Sequence, residues 1–160
     1  MTTATDGGVL PIAELLARFA RPRSLRLVFT NGCFDLLHAG HVEHLAQAKA
    51  LGDALCVGLN SDDSVRRLKG PGRPVERATD RAAALAALPS VDAVTLFDED
   101  TPLELIEALL PDVLVKGGDY ELDGVVGREV VEGAGGEVRV LPLLEGYSTT
   151  DVLEWLKDRS

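Results

Sequence analysis

Three histidines stand close together in a chain that has no others: His38, His41 and His44 lie within the segment NGCFDLLHAGHVEHL (31–45). An apolar, strand-like run precedes this segment, and a helical pattern follows from about Gly40. The start of a helix offers unpaired backbone amides and the positive end of the helix dipole, and a glycine there lets a ligand approach closely. His38 and His41 are therefore predicted to donate hydrogen bonds to one phosphate. The alternative is that they are loop histidines, exposed or hydrogen-bonded for stability.

A metal site built from the histidines is a further alternative, and the spacing disfavours it. Steps of three and three residues bring at most two of the side chains onto one ion, and no pattern of cysteines or aspartates completes a ligand set. His44 lies one helical turn beyond His41, and we expect it on the helix surface or at a subunit interface.

Other polar clusters also follow apolar runs. Lys69 precedes a Gly-Pro-Gly turn, so we expect it on a mobile loop, as a phosphate clamp or as an exposed lysine. Lys116 ends the apolar run DVLV, which favours a ligand contact. GGD (117–119) is either an ordinary tight turn or a place where a nucleotide base approaches the backbone. STT (148–150) is predicted to cap the last helix and to offer hydroxyls and amides to phosphates.

The elements that must position these clusters alternate along the chain. Strands are predicted at 26–32, 53–60, 92–97, 112–118 and 137–142. Helices are predicted at 10–20, 40–51, 62–69 with Ser61 as its cap, 78–88, after a capping box at 101–104, at 127–135 and at 148–159. This alternation predicts an α/β fold, three-layered and Rossmann-like, with a parallel sheet of about five strands. Such sheets bind ligands beyond the carboxyl ends of their strands, which is where the polar clusters lie.

Composition narrows the class of protein. The 160 residues are 46% hydrophobic and 26% charged, as expected of one globular domain. No apolar run approaches the roughly 18–20 residues that span a bilayer, and the N-terminus lacks a secretory pattern, so we expect a cytoplasmic protein without a membrane partner. Cys33 and Cys56 are expected to be reduced and structural.

The charge of the chain is acidic overall but basic in one segment. A net charge of −10 disfavours nucleic acid as a partner. A run of basic residues nevertheless falls within one short segment, and it is either a solvated helix face or a set of cations for a small anionic ligand. The run comprises Arg66, Arg67, Lys69, Arg73, Arg77 and Arg81.

The motif NGCFDLLHAGH resembles the G-x-F-D-x-x-H-x-G-H signature of the nucleotidyltransferase superfamily. Three further stretches, LNSDDSVRRLKGPGRPV, FDEDTPLELIEALLPDVLVKGGDY and GGEVRVLPLLEGYSTTDVL, resemble the adenylyltransferases of ADP-heptose synthesis, which act on a heptose 1-phosphate. The resemblance runs from about residue 25 to 155. It implies an N-terminal segment over 1–24, with a short amphipathic helix, and a nucleotidyltransferase domain over 25–160.

The implied reaction is attack by a sugar phosphate oxygen on the α-phosphorus of ATP, with Mg²⁺ held mainly by the ATP phosphates. The attacking oxygen is already an anion, so the protein needs no general base and must instead position the reactants and offset developing charge. The resemblance implies catalytic roles for His38, His41 and Lys69, and substrate contacts by Arg73 and Tyr120. The implied nucleotide and phosphate contacts are Asn31, Gly32, Cys33, Phe34, Asp35, Gly40, Lys116, Gly117, Gly118, Asp119, Ser148, Thr149 and Thr150.

Several alternatives stay open. Asp35 either helps to place Mg²⁺ or fixes its loop by accepting backbone amides. Leu143 stands where related glycerol-phosphate cytidylyltransferases carry an arginine, which weighs against that activity and leaves part of the phosphate grip to other cations. Two alternatives to the implied activity remain. The chain could be a cytidylyl- or adenylyltransferase for another small phosphate, such as glycerol 3-phosphate, or a non-catalytic nucleotide-binding module. We expect a homodimer, and a separate sugar kinase upstream because 160 residues leave no room for a fused one.

Overall fold

The computed structural model describes residues 8–117 and 124–141. The strands of this part are β1 (Leu27–Gly32), β2 (Ala54–Asn60), β3 (Ala93–Phe97), β4 (Val113–Gly117) and β5 (Glu137–Leu141). Its helices are α1 (Ile12–Phe19), α2 (Ala39–Lys49), α3 (Asp62–Lys69), α4 (Ala78–Ala86), α5 (Leu103–Leu109) and α6 (Arg128–Gly133). None of the described helices is long and apolar enough to cross a bilayer.

The strands form one parallel sheet in the order β3-β2-β1-β4-β5. The chain therefore moves outward from β1 in one direction as far as β3, returns to the other side of β1 and continues outward to β5. Strand order reverses between β1 and β4, which opens a crevice at their carboxyl ends. The predicted α/β Rossmann-like fold with five parallel strands is confirmed.

Helices cover both faces of the sheet, which explains why its central strands are apolar runs and do not alternate. All seven residues of β2 are buried. On one face, α1, α5 and α6 pack through side chains such as Leu15, Ile106 and Val131. On the other face, α2 and α4 pack through Leu45 and Leu85.

Residues 8–19, within the segment predicted at 1–24, pack onto the same core. Val9 forms a parallel bridge with Val94 of β3, and the Leu10 amide donates to the Val94 carbonyl at 2.8 Å. Leu10 and Leu15 are buried. The segment thereby covers the outer edge of β3, which protects that edge from unwanted pairing.

The described helices begin within two residues of their predicted starts, but the predicted cap of α5 differs. Ser61 caps α3 as predicted, since its hydroxyl accepts from the Ser64 amide at 3.2 Å. The predicted capping box at 101–104 is wrong: Pro102 occupies the N-cap position of α5, and Thr101 Oγ1 makes only a long 3.5 Å contact with the Leu103 amide. The physical reason is that the helix begins one residue later than the motif requires, so threonine lies outside the cap.

Candidate active site

A cavity of about 470 Å³ lies at the carboxyl ends of β1 and β4, where the strand order reverses. Half of the predicted site residues line it together: Asn31, Gly32, Cys33, Phe34, His41, Lys69, Arg73, Lys116 and Gly117. His38, Asp35 and Gly40 are not among the residues that line the cavity; they belong to the loop and the helix start that carry Phe34 and His41. The cavity thus brings together side chains from three separate parts of the chain, and two of these parts supply cations: Lys69 and Arg73 from one, and Lys116 from another.

The two motif histidines close the first turn of α2. His38 is the N-cap residue, and its Nδ1 accepts from the Gly40 amide at 3.1 Å. His41 Nδ1 accepts from the His38 amide at 3.2 Å. A ring nitrogen that accepts a backbone N–H carries no proton, so each neutral ring holds its proton on Nε2. Both imidazoles are thereby set as hydrogen-bond donors through Nε2 at the positive end of a helix.

His41 is neutral because of its surroundings. Its ring stacks on that of His38 with centroids 3.8 Å apart and packs against Phe34 with centroids 5.3 Å apart. Burial, with contributions from His38 and His44, lowers the pKa of His41 to about 4 from its ordinary 6.5. At neutral pH the ring is therefore uncharged, and its Nε2–H could donate to an anion without the cost of holding a charge in the apolar wall.

His44 is buried, with 4% of its surface exposed, and lines the cavity. The expectation that it lies on the helix surface or at a subunit interface is therefore wrong. It follows His41 by one turn on the same helix face, and that face is turned to the sheet and the cavity. Burial, and then the nearby Lys116, lower the pKa of His44. Its Nδ1 has no hydrogen-bond partner among the described residues.

The loop between β1 and α2 has an unusual backbone conformation, which is stabilised by hydrogen bonds to another segment of the chain. Phe34 and Leu36 both adopt the left-handed region, with φ of 47° and 55°. Such conformations cost free energy and persist where the surroundings impose them. The segment before α4 imposes them here, because buried Asp35 accepts from the amides of Val75 and Glu76. Of the two predicted roles of Asp35, this geometry favours fixing the loop.

Arg81 is the centre of the same support. Its side chain is fully buried and donates to the carbonyls of Cys33 and Asn60 at 2.8 Å and of Glu76 at 3.0 Å. Its Nη2 also donates to the carboxylate of Asp62 at 2.7 Å. The guanidinium therefore ties the ends of β1 and β2 to the starts of α3 and α4.

The basic run is thus divided between solvent and the site. Arg66 and Arg67 are exposed and pair with Asp63 and Asp100. Arg73 lines the cavity, and Arg81 is buried, so neither belongs to a solvated helix face. Helical periodicity could have indicated that Arg81 is buried, because it lies on the same face of α4 as the buried positions 78, 82 and 85.

Lys69 and Lys116 reach the cavity from opposite sides of β1. Lys69 is the last residue of α3 and not part of the loop on which it was expected; Gly70 ends the helix behind it. Lys116 lies on β4, and burial lowers its pKa. A phosphate bound beside Lys116 would offset that cost by pairing with the ammonium.

Cys33 lines the cavity but is not activated. Burial is the main reason that the pKa of its thiol is raised, so the thiol stays protonated at neutral pH. Burial raises the pKa of Cys56 to about 12. Both cysteines are free, in keeping with a structural role.

Some predicted site residues lie outside the described ranges: Gly118, Asp119, Tyr120, Ser148, Thr149 and Thr150, together with Leu143 and the predicted last helix. The structure adds other cavity residues that the sequence analysis did not single out, among them Asn60, Leu68, Asp100 and Thr101. Position in the chain could have indicated three of them, because Asn60 ends β2 and Asp100 and Thr101 follow β3.

The described part of the chain contains no group of three histidine, cysteine or acidic side chains that could hold a metal ion. Both carboxylate oxygens of Asp35 accept hydrogen bonds from the segment 73–76. These residues do not form a protein cage for Mg²⁺.

Comparison with known proteins points to one family. A model of the family described as cytidylyltransferase-like matches residues 29–154. Among curated proteins, the bifunctional protein HldE of Citrifermentans bemidjiense is 58% identical over 143 residues, which is 89% of this chain and 29% of that protein. HldE of Geobacter sulfurreducens is 62% identical over 129 residues, which is 81% of this chain and 26% of that protein. The chain thus spans less than a third of the length of these relatives.

Solved structures agree on the fold. The lipopolysaccharide core biosynthesis protein from Thermoplasma volcanium superposes with a TM-score of 0.64 at 26% identity, covering 78% of this chain and 100% of that one. Pantothenate synthetase from Thermus thermophilus superposes with a TM-score of 0.57 at 18% identity, covering 84% of this chain and 60% of that one, and this likeness concerns the fold alone.

Proposed function

The chain belongs to the cytidylyltransferase-like family, and from this premise we propose that it is an adenylyltransferase that transfers AMP from ATP to a sugar 1-phosphate. The most specific acceptor we propose is D-glycero-D-manno-heptose 1-phosphate, with ADP-heptose and pyrophosphate as products. Two findings support this choice: the sequence resemblance along nearly the whole chain, and the high identity to HldE proteins. The likeness to a lipopolysaccharide core biosynthesis protein is in keeping with it.

The observation that carries the proposal is the pair of neutral imidazoles at the start of α2. Backbone amides occupy Nδ1 of both His38 and His41, which leaves Nε2–H of each ring as the donor. A donor fixed in this way loses no orientational freedom when the transition state forms, and it stabilises oxygen atoms on which negative charge develops. The cations Lys69 and Lys116 on either side of β1 add to the same field.

The proposed step needs no proton transfer. An oxygen of the sugar phosphate forms a bond to the α-phosphorus as the bond from that phosphorus to the bridging oxygen breaks, and the electron pair leaves with pyrophosphate. The attacking oxygen carries a negative charge already, so a general base is superfluous. The protein acts by aligning the two anions and lowering their repulsion.

Magnesium enters this proposal as part of the MgATP substrate. It would offset part of the negative charge of the phosphates and would be held mainly by them rather than by protein side chains.

The remaining site residues stay predictions within this proposal. Gly117, Gly118 and Asp119 would contact the nucleotide, and Ser148, Thr149 and Thr150 would bind its phosphates. Tyr120 would contact the acceptor. The homodimer and the cytoplasmic location also remain predictions.

The first test is pyrophosphate release by the purified protein with Mg²⁺. ATP and CTP are each paired with heptose 1-phosphate, glucose 1-phosphate and glycerol 3-phosphate. We expect turnover with ATP and heptose 1-phosphate, and a loss of about 10²–10³-fold in His41→Ala, the usual cost of one preorganised donor. Gln47→Ala, an exposed change on the same helix, is the matched control and should leave the rate unchanged.

Two outcomes separate the alternatives. Turnover with CTP or with glycerol 3-phosphate would replace the assignment by another activity of the same family. ATP binding without pyrophosphate from any pair would contradict the proposed reaction and favour a non-catalytic nucleotide-binding module.

A further inference from the structure

The Arg73 side chain is fixed by Asp35 and also lines the cavity. Its side chain lines the cavity and is 16% exposed. Nε donates to Asp35 Oδ2 at 3.2 Å. Nη2 is buried and has no hydrogen-bond partner among the described residues. A guanidinium has five donor hydrogens, and the hydrogen bond to Asp35 uses one of them.

Asp35 is built to aim this arginine. It is 1% exposed. Oδ2 also accepts from the Val75 amide at 2.7 Å, and Oδ1 accepts from the Glu76 amide at 2.9 Å. The carboxylate therefore cannot turn without breaking backbone hydrogen bonds, and the arginine paired with it has a defined direction.

A second contact joins the arginine segment to the histidine loop. Glu76 Oε1 accepts from the Leu36 amide at 3.1 Å. Leu36 stands two residues before His38, so residues 73–76 and the start of α2 form one supported unit. Arg73 is thereby placed relative to the two imidazoles, as a ligand contact in a reaction site requires.

We propose that Arg73 binds the phosphate of the acceptor, and that Asp35 is the positioning residue that aims it. This inference rests on the proposed function. The chemistry is that of a dianionic phosphate, which an arginine recognises by paired, charge-assisted hydrogen bonds.

Topology is the reason for assigning the acceptor and not the nucleotide. Arg73 lies in the connection that follows β2, whereas the residues implied in binding the base and the leaving phosphates, 117–119 and 148–150, lie at the end of β4 and after β5 in the sequence. β2 and β4 lie on opposite sides of β1. In-line transfer places the incoming oxygen and the leaving pyrophosphate on opposite sides of the α-phosphorus. A cation on the β2 side of the histidines is therefore on the side from which the acceptor approaches.

The test is steady-state kinetics with both substrates varied, on the whole chain. Arg73→Gln should raise KM for the sugar phosphate about 10- to 100-fold, the worth of a charge-assisted hydrogen bond, while KM for ATP changes less than about twofold. Arg73→Lys should recover part of the loss. Arg77→Gln, which removes an exposed arginine from the same segment, is the matched control and should change neither constant.

A double-mutant cycle tests the positioning role. Asp35→Asn should raise KM for the sugar phosphate in the wild-type background and should have little further effect in the Arg73→Gln background. A purely structural role of Asp35 would make the two effects independent. Equal effects of Arg73→Gln on both substrates, an effect on ATP alone, or additive effects in the cycle would overturn the proposal.

Failure of the proposed function is distinguishable from failure of this inference. If no substrate pair releases pyrophosphate, the subsite is tested by calorimetry with inorganic phosphate and, separately, with ATP. Phosphate binding that is lost in Arg73→Gln, with ATP binding retained, supports an anion subsite at Arg73. Phosphate affinity that is equal in the wild type and the variant overturns it.

Discussion

The two edges of the sheet each carry an aspartate paired with an arginine, and the two pairs use their hydrogen bonds differently. At the amino edge, Asp112 accepts from the Leu27 amide at 2.8 Å and from Arg23 Nε at 3.2 Å. The other nitrogens of Arg23 donate to main-chain carbonyls at the ends of two helices: those of Phe19, Leu109 and Leu110. Arg23 therefore uses its donors for hydrogen bonds that stabilise the fold.

At the carboxyl edge, Asp35 likewise accepts from backbone amides and from one arginine nitrogen. Its partner Arg73 makes no such set of carbonyl contacts within the described residues and lines the cavity. The aspartate–arginine pair therefore stabilises the fold at the amino edge. At the carboxyl edge, the aspartate fixes an arginine that keeps unused hydrogen-bond donors. The number of donors left over distinguishes a ligand contact from a structural one.

Arg81 tests whether an arginine is structural because of its location or because of its hydrogen bonds. It lies at the carboxyl edge, as Arg73 does, but its donors are used within the fold. Arg81→Met should lower the free energy of unfolding by about 3–5 kcal/mol, because three main-chain carbonyls lose their donor, at about 1–3 kcal/mol for each buried group left unsatisfied. Urea denaturation followed by circular dichroism measures this loss.

A loss below about 1 kcal/mol in Arg81→Met would contradict the view that spent donors mark structural arginines. Arg81→Lys is the informative companion. It keeps the charge near Asp62 but has no planar fork to reach the carbonyls of Cys33 and Asn60 together, so it should recover only part of the stability.

Arg23→Met tests the amino edge and should have a smaller effect, about 2 kcal/mol, because Arg21 still pairs with Asp112 at 3.5 Å when Arg23 is removed. KM for both substrates should stay unchanged, since the cavity lies at the other end of the strands. A change in KM for the sugar phosphate would break the comparison, because it would mean that the amino edge contributes to binding.

The fold follows from the sequence because each strand is a short apolar run ended by polar or turn residues. All five predicted strands agree with the described ones to within one residue at each end. Helix α5 shows the limit: Thr-Pro-Leu-Glu satisfies the capping motif, but proline took the cap position itself. A local motif does not say which of two neighbouring residues begins a helix.

The chemistry of the site was partly visible as well. Motif spacing located the histidines, but burial decided their roles, which is why His44 was misplaced on the surface. The support of the loop was not visible, since Asp35 and Glu76 contact residues that are about 40 positions away in the sequence. Such pairings arise from the order of the strands, which no local pattern contains.

Acid sensitivity should also separate the two edges, because the histidines all stand at the carboxyl edge. The pKa of His41 is about 4 when folded and near 6.5 when unfolded. Between these values only the unfolded chain binds a proton at this ring, so stability that is present above pH 6.5 is lost as pH falls towards 4. Because solvent reaches part of the ring, the loss is on the order of 1 kcal/mol.

His41→Asn removes this titration and keeps an acceptor for the His38 amide. Melting temperatures measured between pH 7 and 4 should therefore fall less steeply in the variant than in the wild type. His44, whose pKa is lowered as well, should account for part of the slope that remains. Equal slopes in the two proteins would mean that the acid sensitivity arises elsewhere.

The smallest effect is expected where an arginine and a carboxylate meet in solvent. Arg18 and Glu14 pair at 3.3 Å on α1, and their side chains are 46% and 50% exposed. Arg18→Ala should cost only about 0.3–0.5 kcal/mol, because water screens the charges and either side chain is readily hydrated alone. Urea denaturation of this variant beside Arg23→Met and Arg81→Met gives three arginine–carboxylate pairs in one protein. If Arg18→Ala cost as much as Arg23→Met, pairing itself would explain stability here; the expected order instead assigns it to burial and to the main-chain carbonyls that a buried guanidinium satisfies.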